Sequence, residues 1–117
     1  MIHGPNIEIV RQNDVNVVNL LNEEILDEAI IAEITDSLFA FVVENPAANI
    51  LLNFSKVKHL SSSALGMLIR LNKHISETKG NLKLCSIAPS LLEIFVITRL
   101  NNVFEIYEQQ TEALTSF

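Results

Sequence analysis

Residues 49–54, NILLNF, form a compact apolar run without polar alternation, flanked on both sides by segments whose apolar residues recur every three or four positions. No other feature constrains the fold as much. A strand whose central residues are apolar without alternation is expected to be covered on both faces, which is the situation of an inner strand in a parallel sheet. On its N-terminal side, ILDEAIIAEITDSLFAFVVENP repeats Leu26, Ile30, Ile34, Leu38 and Phe41 as a helical stripe. Asp27 and Glu28 stand at its start, where the helix dipole favours acids, and Pro46 follows its end. On the C-terminal side, ALGMLIRLNKHISETKG spaces Leu65, Leu68, Leu71 or Asn72, and Ile75 in the same way, with Gly80 placed to stop the helix.

The remaining segments extend this alternation. IEIVRQNDVNVV reads as two short strands, because Ile7 and Ile9 alternate with Glu8, and Val15 and Val17 with Asn16. Asn13 and Asp14 between them tolerate tight-turn geometry. NLKLCSI is a strand with an amphipathic first half, and APSLLEIFVITRL is a short helix with Pro89 in its first turn. VFEIYE is a last strand, and QQTEALTSF a terminal helix or tail. The order β-β-α-β-α-β-α-β-α predicts a single α/β domain over residues 1–117. Its sheet is expected to be mixed and mainly parallel, with an N-terminal hairpin and covering helices.

Composition narrows the function. A chain of 117 residues with 49% apolar and 19% charged residues is long enough to bury a core. Its net charge is −6, from 14 acidic and 8 basic residues with no basic block, which argues against a nucleic-acid partner. Cys85 is the only cysteine, so an internal disulfide and a cysteine-based metal cluster are excluded, and it reads as a small core residue. The phenylalanines Phe39, Phe41, Phe54, Phe95 and Phe104 read as core. The start MIHGPNIEIV lacks a signal-peptide pattern, and no run of about 18 apolar residues exists to insert in a membrane. A cytoplasmic protein is expected. Three scattered glycines make no phosphate cradle, and neither cofactor nor metal is expected.

The segment VKHLSSSALGML, residues 57–68, sets Ser61, Ser62 and Ser63 between an expected strand and an expected helix. Ligands and partners of such sheets gather at the carboxyl ends of the strands, beside helix N-termini. Ser61 as N-cap would contribute about 1 kcal/mol, leaving Ser62 and Ser63 as exposed first-turn residues. Nucleophilic catalysis is disfavoured: His59 is near Ser61, but there is no G-x-S-x-G elbow and no acid placed to orient the imidazole. A phosphate on a first-turn serine, by contrast, would meet free backbone N–H groups and the positive end of the dipole. From these residues alone, a plain cap and a phosphorylation switch both stand open.

LSSSALGMLIRLNKHI resembles the central loop of the STAS domain, specifically of bacterial anti-sigma-factor antagonists, in which D-S-[ST]-G-L-G precedes an apolar helix. Ser62 falls on the family's phosphorylatable serine, Ser63 on the following Ser or Thr, and Leu65-Gly66 on its L-G. Downstream, Thr98, Leu100, Phe104, Ile106, Tyr107, Ala113 and Leu114 fit the T-G-L…F-x-I-Y…A-L ending. The resemblance implies an α/β STAS fold and a regulatory binding module rather than an enzyme. It implies partner switching with an anti-sigma factor that has serine-kinase activity, ended by phosphorylation at Ser62, ahead of Ser63 or Ser61, and restored by a phosphatase. The implied contact surface comprises Lys58, His59, Ser61, Ser62, Ser63, Leu65 and Arg70, with Lys56 and Lys73 as further basic candidates. The chain departs from the family at Ser61, where an Asp is usual, and at Ala64 and Arg99, where glycines are usual. Arg99 makes a left-handed turn there unfavourable. These departures suit an alternative: an unphosphorylated STAS scaffold in a larger signalling or transporter complex.

Overall fold

In the computed structural model, which describes residues 2–117, Asn13 and Asp14 both take left-handed φ, 51° and 62°. Two such residues in succession close a hairpin whose twist matches that of its strands. They join β2 (Ile7–Gln12) to β3 (Val15–Leu20), antiparallel, with Gln12 opposite Val15. β1 (Ile2–His3) extends the antiparallel edge. Beyond β3 the sheet turns parallel through β5 (Asn49–Asn53), β7 (Asn81–Cys85) and β8 (Glu105–Tyr107), giving the order β1-β2-β3-β5-β7-β8. A separate parallel ribbon joins β4 (Glu24–Ile25) to β6 (His59–Leu60). The helices are α1 (Glu28–Glu44), α2 (Ser62–Glu77), α3 (Pro89–Ile97) and α4 (Gln110–Leu114), with a 3-10 turn at Leu100–Asn102.

The two faces of the sheet are covered unequally. One carries Ile7, Ile9, Val18, Leu20, Ile50, Leu52, Leu82 and Leu84, a period-two set packed beneath α1, α2 and α3. Ile34 and Leu38 of α1, Leu68 and Leu71 of α2, and Phe95 of α3 fill this core. Phe95 meets Phe54 and Phe104 edge-on at 6.4 and 6.1 Å. The other face offers Val15, Val17, Leu51 and Cys85 to a smaller cluster closed by Ala113 of α4, with Tyr107, Leu114 and Phe117 around it. β5 is thus covered on both sides, as its unbroken apolar run requires.

Lys83 lies on this second face and is only 9% exposed. Its ammonium donates to the Ser116 carbonyl at 2.7 Å and the Ser116 hydroxyl at 2.9 Å, and sits 3.0 Å from a Glu105 carboxylate oxygen. The Phe117 ring lies 4.7 Å away. A buried ammonium needs this set of partners, and the set fastens the C-terminal segment to the sheet. Burial pushes the Cys85 thiol above its ordinary pKa, with a hydrogen bond from Ser86 acting in the opposite sense.

Four sequence expectations are corrected. The strands β1, β4 and β6, two residues each, are additional to the expected order. Leu26 does not belong to the buried stripe: α1 begins after it, Ile31 and Val42 join the buried face instead, and Leu26 is exposed. Gly80 is not the left-handed residue ending α2. Lys79 is, at φ 64°, with Lys79 N–H donating to the Ser76 carbonyl and Gly80 N–H to the Ile75 carbonyl. Glycine is needed at 80 for another reason, since a Cβ there would lie 2.6 Å from the Ala48 carbonyl oxygen. Finally, Arg99 does adopt the left-handed conformation, at φ 62° and ψ 20°, and α3 passes through it into the 3-10 turn. His74 of α2 is part-buried, and its ring stacks on Phe39 of α1 at 5.1 Å.

Candidate functional site

β5 ends at Asn53, whose side chain shapes the next turn: its Oδ1 accepts from Ser55 N–H at 2.8 Å, and its Nδ2 donates to Gln110 at 2.7 Å. Phe54 and Val57 are buried, and Val57 N–H donates to the Phe54 carbonyl, so the loop is anchored at both of its apolar residues. The chain then pairs with β4. Lys58 and His59 N–H groups both donate to the Glu23 carbonyl, at 2.7 and 3.1 Å, and Ser61 N–H donates to the Ile25 carbonyl at 3.1 Å. This ribbon brings the starts of α1 and α2 together.

Both starts are capped by the residue type that favours this role. Asp27, extended at ψ 131°, accepts from Ala29 N–H at 2.7 Å. Ser61, at φ −86° and ψ 167°, accepts from Ala64 N–H at 3.1 Å. The structure therefore gives Ser61 the capping bond that an aspartate would make. Ser62 and Ser63 follow as exposed first-turn residues of α2. Ser63 Oγ donates to Glu28 Oε1 of α1 at 3.2 Å, spanning the two helix starts. The Ser62 hydroxyl makes no hydrogen bond among the described residues. It stands at the first helical position, beside backbone N–H groups that have no intrahelical acceptor.

The sequence candidates fall into two sets. Ser61, Ser62, Ser63 and Leu65 occupy the opening of α2, with Leu65 half-buried against the main core. Lys58 and His59 are exposed immediately upstream. Lys58 lies 3.7 Å from the Glu23 carboxylate, an exposed pair of little energetic weight. Arg70 and Lys73 are exposed further along α2, and Lys56 is exposed in the loop. Arg70 Nη1 lies 3.6 Å from where a Cβ on Gly66 would be, so its guanidinium is turned back along the helix toward the serines.

Two exposed apolar residues join this surface without having been expected there. Leu26 flanks the Asp27 cap and is 47% exposed, while Ile69 is 43% exposed. Ser62, Gly66, Ile69 and Lys73 follow the i, i+4, i+7, i+11 spacing of one helix stripe. The signal for Leu26 was Asp27 itself: an N-cap at 27 places residue 26 outside the helix. Basic Lys56, Lys58, Arg70 and Lys73 fall within residues 55–73, which contain no acid, so the charge on this side comes from α2 and its loop. The acids facing it, Glu23, Asp27 and Glu28, belong to the β4–α1 segment.

The family model for the STAS domain matches residues 6–113. BtrV of Bordetella bronchiseptica, assigned as an anti-sigma factor antagonist, is 24% identical over 101 residues, which span 86% of this chain and 79% of BtrV. The fold is similar to that of an anti-sigma-factor antagonist (STAS) domain protein from Planctomyces limnophilus. That comparison gives 24% identity and a TM-score of 0.82, over 94% of this chain and 95% of the other. It is also similar to the Bacillus cell fate determinant SpoIIAA in its phosphorylated form, at 16% identity and a TM-score of 0.69, over 93% and 96% of the two chains. These structural likenesses establish the architecture, and the family match runs from β2 to α4 through the capped serine loop. The chain belongs to the STAS domain family.

Proposed function

We propose that this chain is a cytoplasmic anti-sigma-factor antagonist that works by partner switching. Unphosphorylated, it binds an anti-sigma factor with serine-kinase activity through the surface around Ser62. Phosphorylation of Ser62 ends the complex, and a phosphatase restores it. One observation carries this reading: Ser62 is exposed at the first position of α2, while the capping bond is made by its neighbour Ser61. The hydroxyl that would be modified is therefore not the one that holds the helix. A fold neighbour, the anti-sigma factor antagonist SpoIIAA, has been solved both phosphorylated and unphosphorylated, which supports a phosphorylation switch on this architecture.

The physics of the switch is local. A phosphate brings about 1.5 to 2 negative charges at neutral pH to a helix N-terminus, where the backbone tolerates an anion. The fold is left standing. On a partner that has buried the Ser62–Ile69 stripe, the same group is bulky, charged and desolvated, and a loss of about 3 kcal/mol weakens binding roughly a hundredfold. The test is incubation with the cognate serine kinase and ATP, followed by mass spectrometry and a binding assay. Phosphate on Ser62, absent from Ser62→Ala, with release of the anti-sigma factor, is the expected result. A loop that stays unmodified while the complex persists would sink the switch and leave the scaffold reading.

A further inference from the structure

A second surface lies beyond the carboxyl ends of β7 and β8, at the same sheet edge as the β5–α2 loop but lined by none of that loop's residues. There α3 and the β8–α4 segment enclose a groove of about 520 Å³. Ile87, Leu92, Val96 and Ile106 supply its apolar lining, and Glu108 and Glu112 line it as well. Val96 is 52% exposed, and Ile97 and Val103, outside the groove lining in the same segment of chain, are 76% and 51% exposed. α3 is unusually apolar for a surface helix, with Glu93 as its one charged residue. Helix packing accounts for Leu91 and Phe95, which are buried, and not for this outer side.

The charges here are one-sided. From Ser86 to Phe117 the chain carries Glu93, Glu105, Glu108 and Glu112 against Arg99 as the lone basic residue. Glu105 is engaged by Lys83, whereas Glu108 and Glu112 form no ion pair among the described residues. An apolar strip beside unpaired carboxylates is complementary to a helix with an apolar stripe flanked by lysine or arginine. The nine residues of α3 run about 13 Å, enough to hold two to three turns of such a helix. A second copy of this chain is a poor occupant, because copies of net charge −6 repel. We propose that the α3/β8–α4 groove is a second protein-docking surface whose occupant is a partner's cationic amphipathic helix, separate from the surface around Ser62.

The test uses a fluorescein-labelled peptide of about 14 Leu and Lys residues with leucines at helical spacing, and a scrambled peptide of the same composition. Anisotropy titrations at about 0.15 M salt are paired with amide chemical-shift mapping on the full chain. The patterned peptide is expected to shift Leu92, Val96 and Ile106–Glu112 and to bind at least about tenfold more tightly than the scrambled one. Val96→Gln, and Glu108→Lys with Glu112→Lys, each weaken it about tenfold or more, while Ser62→Asp leaves it unchanged. The proposal is overturned by equal binding of both peptides, by shifts centred on Glu23–Glu28, or by sensitivity to Ser62→Asp. It is equally overturned by concentration-dependent self-association that protects these same residues, which would make the occupant another copy. None of these outcomes bears on whether Ser62 is phosphorylated.

Discussion

Alanine at Ser61 and alanine at Ser62 should have opposite signatures, although the residues are adjacent. Ser61 Oγ accepts the Ala64 N–H at 3.1 Å, so Ser61→Ala leaves a first-turn donor without its acceptor. Loss of a serine cap costs about 1 kcal/mol. An unfolding entropy of about 2.1 cal/mol/K per residue gives about 0.25 kcal/mol/K for 117 residues. The expected fall in Tm is therefore about 4 °C. Ser62 is exposed and makes no internal hydrogen bond among the described residues, so Ser62→Ala should stay within about 0.5 kcal/mol, or about 2 °C, of the parent. With kinase and ATP the order reverses: Ser62→Ala takes up no phosphate at the loop, and Ser61→Ala still does. Calorimetric melts and mass spectrometry on the same samples read both effects. If Ser62→Ala melted as low as Ser61→Ala, or if Ser61→Ala were thermally silent, the division of labour between the two hydroxyls would be wrong.

Three further outcomes follow from the backbone and the second core. Arg99→Gly should raise stability by about 0.5–1 kcal/mol in urea unfolding, because it relieves a left-handed φ of 62° carried by a residue with a Cβ. Gly80→Ala should lower stability by about 2 kcal/mol, since its Cβ would press on the Ala48 carbonyl oxygen at 2.6 Å and the backbone must give way; an unchanged urea midpoint would refute the close approach. For Cys85, burial raises the folded thiol pKa against a weaker opposing hydrogen bond from Ser86. The unfolded thiol then ionises first, so the contribution to stability is intact below about pH 8.5 and is lost as pH rises through the folded pKa. The stability difference between the parent and Cys85→Ala should accordingly shrink above that pH, and a difference constant up to about pH 10 would contradict the burial argument.

Much of this architecture was readable because period and punctuation agreed. Asn13 and Asp14 sit between two alternating strands, and NILLNF could be satisfied only between covered faces. Ser61 announced its cap through residue type and position alone. What escaped reading is what no local signal encodes. A two-residue strand such as β4 or β6 has no period, and its existence depends on two segments meeting in space. Leu26 carries the spacing of the α1 stripe but lies before the cap, so apolar periodicity overran the helix boundary. Lys79 and Arg99 hold left-handed turns that a reader assigns to glycine, because hydrogen bonds from the following chain outweigh the intrinsic cost. At the site, the serines were visible as a motif. Glu28 as the partner of Ser63 was not, since the two are joined only through the packing of α1 beside α2.

The small β4–β6 ribbon has a kinetic corollary. Because Lys58, His59 and Ser61 have their amides already tied to Glu23 and Ile25, the segment leading to Ser62 has little slack to lose when something seats on it. A binder arriving there meets a surface set in advance and need not wait for a loop to settle, so little ordering entropy is taken from the affinity. Encounter should then proceed in a single step, and lifetime rather than arrival should distinguish tight binders from weak ones.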